Sequence, residues 1–397
     1  MRLFSDPHVI FQPNPLRISE SAKGQILDSL YSGIGLTRVR VSIEARGIEP
    51  VNDNADPAVT DLSKFNFAGR NSDDFVPAVA DIRRRTPLMW WASPGGIETW
   101  MNAGNPEEHV EWAMALHRRW RSQGMEFPFY SIINEPSYVA SGGPWSGEYL
   151  RDVVKLLGRK LRAEGFATKI VIADDLSASQ ALDVARVILA DPEARGYVGA
   201  VAFHIYGPGL AGAEDLKALA KQHGIQLWMS EYSMETAFQW VEMVHSLLTT
   251  YDVSAVDYMW GFFGEEDGSH LISVLHSGGD YLGFKLQPQF HVFGNYTKYV
   301  RPGAVRVRVS PASEDIKVSA FTQNGRLTIV AINSGYTSST TVRFDVAGLA
   351  SNRDFAAVRT RPENGGTERL SPLAPLEVRS NSITATLPAR SVSTFYQ

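Results

Sequence analysis

Residues 129–137 read Phe-Tyr-Ser-Ile-Ile-Asn-Glu-Pro-Ser, an apolar run of strand length that ends on an ionisable residue, Glu135. A carboxylate at the carboxyl end of a buried strand is the position from which parallel α/β barrels do chemistry. Working outward in both directions, the same rhythm recurs. Helical patterns at 21–33 and 71–86 lead into LTRVRVSIE (36–44) and PLMWWASP (87–94), and the pattern at 106–124 leads into the opening stretch itself. Towards the C-terminus, helical patterns at 147–165, 177–196, 213–224 and 237–253 precede TKIVIADD (168–175), VGAVAFHIYG (198–207), IQLWMSEYS (225–233) and AVDYMWGFF (255–263). Seven strands, each preceded by a helix, predict β/α units around a parallel sheet. The eighth strand is assigned to the N-terminal segment containing HVIFQ (8–12). An open doubly wound sheet is the other architecture with this rhythm, but no glycine-rich phosphate loop follows an early strand.

After Arg301-Pro302-Gly303 the texture changes to short period-two runs: VRVRV, IKVSAF, LTIVAIN, TVRFDV, DFAAVRT, ITATLP and the closing ARSVSTFYQ. Separated by Gly, Asn, Ser and Pro, they read as a β-sandwich. The expected architecture is a (β/α)8 TIM barrel over 1–303 with a side β-sandwich over 304–397, packed closely because no low-complexity linker separates them. A length of 397 residues suits this division, since single cores rarely grow beyond roughly 250–300 residues.

Composition removes several function classes. A net charge of -5 leaves no basic excess for gripping nucleic acid. Zero cysteines exclude disulfides, thiolate zinc sites, iron–sulfur clusters and thiol nucleophiles. No apolar run of membrane-spanning length occurs, so no membrane span is expected. The opening MRLFSDPHVIF has no apolar stretch of signal-peptide length, which leaves localisation open.

A second carboxylate, Glu231, ends the strand LWMSEYS, three strands further round. Two carboxylates across a barrel mouth can flank one sugar ring. About 5–5.5 Å between them permits attack by one and protonation by the other with net retention; about 6.5–9.5 Å leaves room for a water and inverts. Among other strand-end residues, Glu44, Asp174, Asp175 and Glu265 could contact sugar hydroxyls but read most simply as solvated or loop-capping carboxylates. Trp91, Trp100 and Tyr232 are either core filling or sugar-stacking surfaces. No second histidine stands at metal-binding spacing from His204, so no metal is assigned. The basic runs at 83–85 and 117–119 fall on helices as a solvated outer face.

Ile-Asn-Glu-Pro followed by a later Ser-Glu-Tyr resembles the clan A glycosidases. GLTRVRV (35–41), ASPGGIETWMNAG (92–104), FHIYG (203–207), FGNYTKYVRPGAVRV (293–307) and PARSVSTF (388–395) narrow the resemblance to glycoside hydrolase family 30. The resemblance implies a retaining β-glycosidase with Glu135 as acid/base and Glu231 as nucleophile, without metal or organic cofactor. It further implies that Asn134 meets the sugar 2-hydroxyl and that Arg40 keeps the nucleophile ionised. His204 and Tyr206 would line the floor, and Trp260, extended by Trp91 and Trp100, would stack on the sugar. Its partner would be a β-linked glycan polysaccharide or oligosaccharide, and the protein a secreted monomer. Xylan is the leading substrate, with β-1,6-glucan or galactan and exo β-glycosidase action as alternatives. The segment at 264–285 offers Lys285 and histidines but no arginine for a glucuronate branch. A carbohydrate-binding protein on an inactive barrel is the non-enzymatic alternative. The chain departs from the family in lacking its Gly-Phe-Gly type of first-strand segment: either HVIFQPNP is a diverged first strand or the barrel lacks one.

Overall fold

The computed structural model describes residues 2–3, 18–43, 46–69, 72–234, 236–264, 269–310, 313–346, 353–363 and 366–397. Strands β1 (Arg2–Leu3), β2 (Arg38–Ile43), β3 (Met89–Pro94), β4 (Phe129–Ser131), β5 (Lys169–Asp175), β6 (Val198–His204), β7 (Gln226–Tyr232) and β8 (Ala255–Tyr258) lie side by side in chain order. After Met259 the chain continues as β9 (Trp260–Phe263), which returns to β1 through Arg2↔Trp260. Thus β8 and β9 are two halves of one barrel strand, the first on β7 and the second on β1. The slot between β2 and β9 is held by Arg2–Leu3, paired with Arg40 and Val41. The assigned segment HVIFQ lies outside the described residues.

Helices cover the outside of the barrel because their apolar positions recur every three to four residues. Helix α4 (Gly147–Ala163) buries Leu150, Val153, Val154, Leu157 and Leu161, and the Ser146 hydroxyl accepts from the Tyr149 amide at its start. The longest apolar face belongs to α3 (Pro106–Ser122), which begins with Asn105 as cap and Pro106 in the first turn. Its Trp120 stacks on Trp90 of β3 at 5.2 Å. Full burial of such a side chain contributes on the order of 2–3 kcal/mol.

Period two within the strands separates two cores. On β2, Val39, Val41 and Ile43 join the helices, while Arg38 and Arg40 alternate with them and point into the barrel. The interior is plugged by Trp91 and Trp228, edge to face at 5.7 Å, with Val171, Ala200 and Ala202 beside them. Two large rings opposite small residues fill a barrel that equal side chains would leave hollow or overfilled.

The segment expected to be a loop after strand eight contains a hairpin instead. Strands β10 (His270–Ser277) and β11 (Asp280–Leu286) pair antiparallel about Gly278-Gly279, both with positive φ (55° and 86°). A two-residue turn of that hand matches strand twist and demands glycine-like residues, so the paired glycines are the turn itself. Helix α9 (Pro288–Thr297) then leads to the C-terminal domain.

That domain is an antiparallel six-stranded sheet in the order β12 (Val305–Val307), β13 (Ile316–Gln323), β14 (Arg326–Asn333), β19 (Ser391–Tyr396), β16 (Phe355–Thr360), β17 (Ser371–Leu376). Against it packs the pair β15 (Thr340–Asp345) and β18 (Ser382–Leu387), around Phe344, Phe355, Leu387 and Phe395. Strand β17 escaped the period-two reading because SPLAPL holds two prolines, tolerable only on an edge, which is where it sits. Phe321, Val330, Ile332 and Val392 belong to the barrel's own outer core, so the two units share apolar contacts.

Candidate active site

Four strand ends converge on one buried guanidinium. Arg40 is fully buried; its Nη1 donates to Glu231 Oε2 at 2.5 Å. Its Nη2 donates to Ser93 Oγ at 3.0 Å, to Asp174 Oδ2 at 2.8 Å and to Asn134 Oδ1. Asp174 is the acidic counterpart of this hub. It also accepts from Ser93 at 2.7 Å, from Ser230 at 2.8 Å and from His204 Nε2 at 3.2 Å. Burial alone would push the Asp174 carboxyl up; the Arg40 charge and the His204 hydrogen bond outweigh it and hold it well below the usual carboxylate range. Burial would likewise lower Arg40, but Asp174 and Glu231 more than reverse this and keep it charged.

His204 links the two halves. Nδ1 lies 2.9 Å from Glu135 Oε1, and Nε2 faces Asp174 with Glu231 Oε2 at 3.7 Å. Burial disfavours its charge, yet Glu231, Asp174 and Glu135 push the imidazole up to about 9. Tyr206 donates to the other oxygen of Glu231 at 3.1 Å. The nucleophile candidate is thus held through both oxygens, and the acid/base candidate through one.

Backbone irregularities aim these groups. The β5–β6 register slips between Ala173 and Asp175, and the β6–β7 register between Phe203 and His204. Such bulges redirect a side chain that regular pleating would send to the other face. Ala173, Asp174 and Glu135 all have positive φ (65°, 52° and 51°), and the Glu135 amide donates to the Asp174 carbonyl at 2.8 Å. Non-glycine residues in this region cost about 1–3 kcal/mol each and cluster where geometry serves a site.

The structure therefore brings Arg40, Asn134, Glu135, His204, Tyr206 and Glu231 into one network. Tyr232 lies 5.2 Å ring to ring from Tyr206, and Trp260 is half-buried against Phe263 at 4.1 Å. Trp100 stands on the rim, its indole N–H donating to the Glu49 carbonyl at 2.7 Å. Trp91 is the exception: it is fully buried, with the Arg40 guanidinium 5.0 Å from its ring, so it supports the site from below and offers no surface to a sugar. Asp174 also departs from the solvated or capping role expected of it; it is a buried hub. Asp175 does cap, accepting from Ser137 Oγ at 2.6 Å and the Leu176 amide at 2.8 Å. Glu44 and Glu265 lie outside the described residues. Ser93 and Ser230, unmarked in the sequence reading, sit two residues beyond Trp91 and Trp228 on the same inward face; that spacing was the available signal.

One ligand atom each from Glu135, His204 and Glu231 lie within 4.8 Å of one another, the group among the described residues best placed to hold a metal ion. The donor set does not suit one: both His204 nitrogens face carboxylates, and Arg40 occupies Glu231 Oε2. No helix among the described residues is long and apolar enough to cross a membrane.

No protein-family model matches the chain. It is 25% identical to the glucuronoxylanase XynC of Bacillus subtilis over 287 residues, 69% of this chain and 62% of that protein. It is 20% identical to the endo-beta-1,6-galactanase of Hypocrea rufa over 326 residues, 77% of this chain and 66% of the other. The chain thus spans about two thirds or less of the length of these relatives. Its fold matches the catalytic domain of GH30 xylanase C from Talaromyces cellulolyticus with a TM-score of 0.77 at 19% identity, covering 100% of this chain and 94% of that one. The chain thus shares the fold of a GH30 xylanase catalytic domain and is distantly similar in sequence to a glucuronoxylanase and an endo-beta-1,6-galactanase.

Proposed function

We propose that the chain is a retaining β-glycosidase in which Glu231 is the nucleophile and Glu135 the general acid/base. The observation that carries this reading is the pair itself: carboxylates from the ends of β4 and β7, with one oxygen of each within 4.8 Å of the other. That spacing favours the narrow, retaining class of about 5–5.5 Å over the wider separation of inverting enzymes.

The surroundings support different roles for the two. Glu231 is held by Arg40 and Tyr206, which favour its ionised form and fix it for attack on an anomeric carbon. Glu135 has one oxygen on His204, and its other oxygen carries the proton given to the departing glycosidic oxygen. When Glu231 becomes an ester, its negative charge disappears. The His204 hydrogen bond then stabilises the Glu135 carboxylate, which takes a proton from the incoming water as the water oxygen bonds to the anomeric carbon and the ester bond breaks to release the Glu231 carboxylate. Asn134, with Oδ1 fixed on Arg40, is oriented to present its amide N–H groups to the sugar 2-hydroxyl.

The substrate proposed is a β-linked glycan, xylan-type first, with β-1,6-glucan or galactan as the competing class. Relatives acting on a glucuronoxylan and on a β-1,6-galactan frame this choice. Digestion of a panel of xylans, β-1,6-glucan and arabinogalactan, with product sequencing, decides among them. Glu231→Ala is expected to lose at least ~10⁴-fold in turnover and to give a glycosyl azide of inverted configuration when azide is added. Glu135→Ala should retain turnover only on substrates with activated leaving groups. Near-wild-type cleavage of unactivated glycan by either variant would reject the assignment.

A further inference from the structure

A cavity of about 860 Å³ opens at the foot of the barrel, among the amino ends of its strands and so at the end opposite Glu135 and Glu231. Arg38, Met89, Gln226 and Ala255, the first residues of β2, β3, β7 and β8, line it from the barrel side. The other walls are largely apolar: Val244 and Leu248 from helix α8 (Ala237–Thr249), Phe293 from α9 and Phe321 from β13 of the side domain. Arg301, in the connection between the domains, completes the lining. The volume lies within the roughly 300–1,000 Å³ of small-molecule sites, whose usual make-up is an apolar wall with a few polar groups. The proposed hydrolysis makes no use of it.

Three arginines line this cavity against one acid, Asp252. Arg306 donates to Asp252, whose other oxygen has Lys217 at 3.9 Å, so that carboxylate is already neutralised. Counting Asp257 behind Arg38 still leaves a positive excess, on a chain whose net charge is -5. Arg301 is the cation without a carboxylate. Among the described residues it meets backbone alone, with Nη1 donating to the Gly35 carbonyl and to the Thr297 carbonyl at 2.8 Å, while Nε and Nη2 are unused. Gly35 makes room for it, since an added Cβ there would lie 2.6 Å from Nη1. Arg38 is half spent: Nε takes Asp257, but Nη1 has no better acceptor than the Met89 sulfur at 3.5 Å, a weak one. Gln226 gives its carbonyl to the Trp228 indole N–H at 2.9 Å, which leaves its NH2 group. The guanidinium and amide groups with capacity to spare are therefore all donors.

We infer that this cavity binds a small amphipathic organic anion, with its acidic head on Arg301 and Arg38 and its apolar body against α8, Phe293 and Phe321. A planar acidic head matches the fork of a guanidinium, and such charge-assisted hydrogen bonds are the strong ones. Burial pulls Arg301 below its ordinary range, and an anion beside it removes that penalty. A sugar is the poorer occupant. It would need an open aromatic face to stack on, whereas Trp228 is buried with the Arg38 guanidinium 3.7 Å over its ring.

Calorimetric titration with decanoate, an apolar tail on a carboxylate, tests this directly. The wild type should bind it saturably at one site and should not bind decyltrimethylammonium, which carries the same tail on a cationic head. Arg301→Met should weaken decanoate by ~10-fold or more, the size of a lost charge-assisted contact. Because Arg301 also holds two carbonyls, Leu248→Trp is the second variant: it keeps every cation, puts an indole into the cavity and should abolish binding while the circular dichroism spectrum stays that of the wild type. Glu231→Ala should bind decanoate as the wild type does, so the result stands or falls apart from the proposed hydrolysis. The inference is overturned by the absence of saturable decanoate binding, by equal binding of the two decyl compounds, or by wild-type affinity in both Arg301→Met and Leu248→Trp. Loss of binding in Glu231→Ala would also overturn it, by putting the anion in the catalytic mouth.

Discussion

Two arginines stand two residues apart on β2, both pointing into the barrel, and they have opposite fates. Arg40, in the upper layer, meets Glu231, Asp174, Ser93 and Asn134, and the acids around it hold it more firmly protonated than a free guanidinium. Arg38, in the lower layer, has Asp257 at 2.9 and 2.8 Å, lies 3.7 Å over the Trp228 ring, and has a buried Nη2 without a partner. Burial lowers its charge affinity despite Asp257. The same residue on the same strand is therefore the centre of an over-determined network in one layer and half of an ion pair with one carboxylate in the other. Only the first has the surplus of negative groups that a reacting centre needs; the second fills and orders the barrel.

The largest expected effect separates these roles. Arg40→Met strands Asp174 and Glu231 in the interior, and breaking a buried pair in this way costs roughly 3–5 kcal/mol. It should also cut kcat on any cleaved glycan by ~10³-fold, since the charge that keeps Glu231 ionised is gone. Arg38→Met should cost a similar amount of stability by taking the cation from buried Asp257, with kcat changed by less than about threefold. Pairing it with Asp257→Leu should restore part of the lost Tm, because replacing both members of a buried ion pair with apolar groups is often near neutral. Thermal unfolding and kinetics on the same three proteins check this. Equal kcat losses in Arg40→Met and Arg38→Met would erase the distinction.

A smaller effect tests the upper layer through pH. His204 is pushed up to about 9, so its contribution to stability is complete below about 6.5 and disappears as pH rises through 9. Burial pushes Glu49 up to about 8, so it titrates in the lower part of the interval from 8 to 9.5, and the difference between wild type and variant isolates His204. Wild-type Tm should fall across that interval, and His204→Asn should be less stable at pH 7 and fall by less between 8 and 9.5. A wild-type Tm that is itself flat there would show the imidazole to be neutral in the fold.

How much of this was legible in the sequence depended on periodicity. Helices with three-to-four spacing and strands with period two announced the barrel, and NEP and SEY marked the two glutamates. What escaped were the places where regular spacing fails. The slip at Ala173–Asp175 turned Asp174 into the barrel, so a residue read as solvated became a hub. SPLAPL was obscured by its prolines, and HLISVLHS and DYLGFKL were passed over as loop although a Gly-Gly turn joins them.

Trp91 gives the smallest effect and the sharpest correction. As a strand-end aromatic it was a candidate sugar platform, and Trp260 was another; the structure buries the first entirely and leaves the second half-exposed. Trp91→Phe removes ring volume from the plug beneath Arg40, which should lower stability by ~1–3 kcal/mol while leaving KM for oligosaccharides within about twofold. Trp260→Phe should do the reverse, raising KM several-fold with little change in Tm, since a stacking contact is worth about 0.5–1.5 kcal/mol beyond its buried area. A rise in KM for Trp91→Phe equal to that of Trp260→Phe would mean that sugar reaches the lower layer, and that the boundary between the reacting and the structural halves of the barrel lies below Arg40.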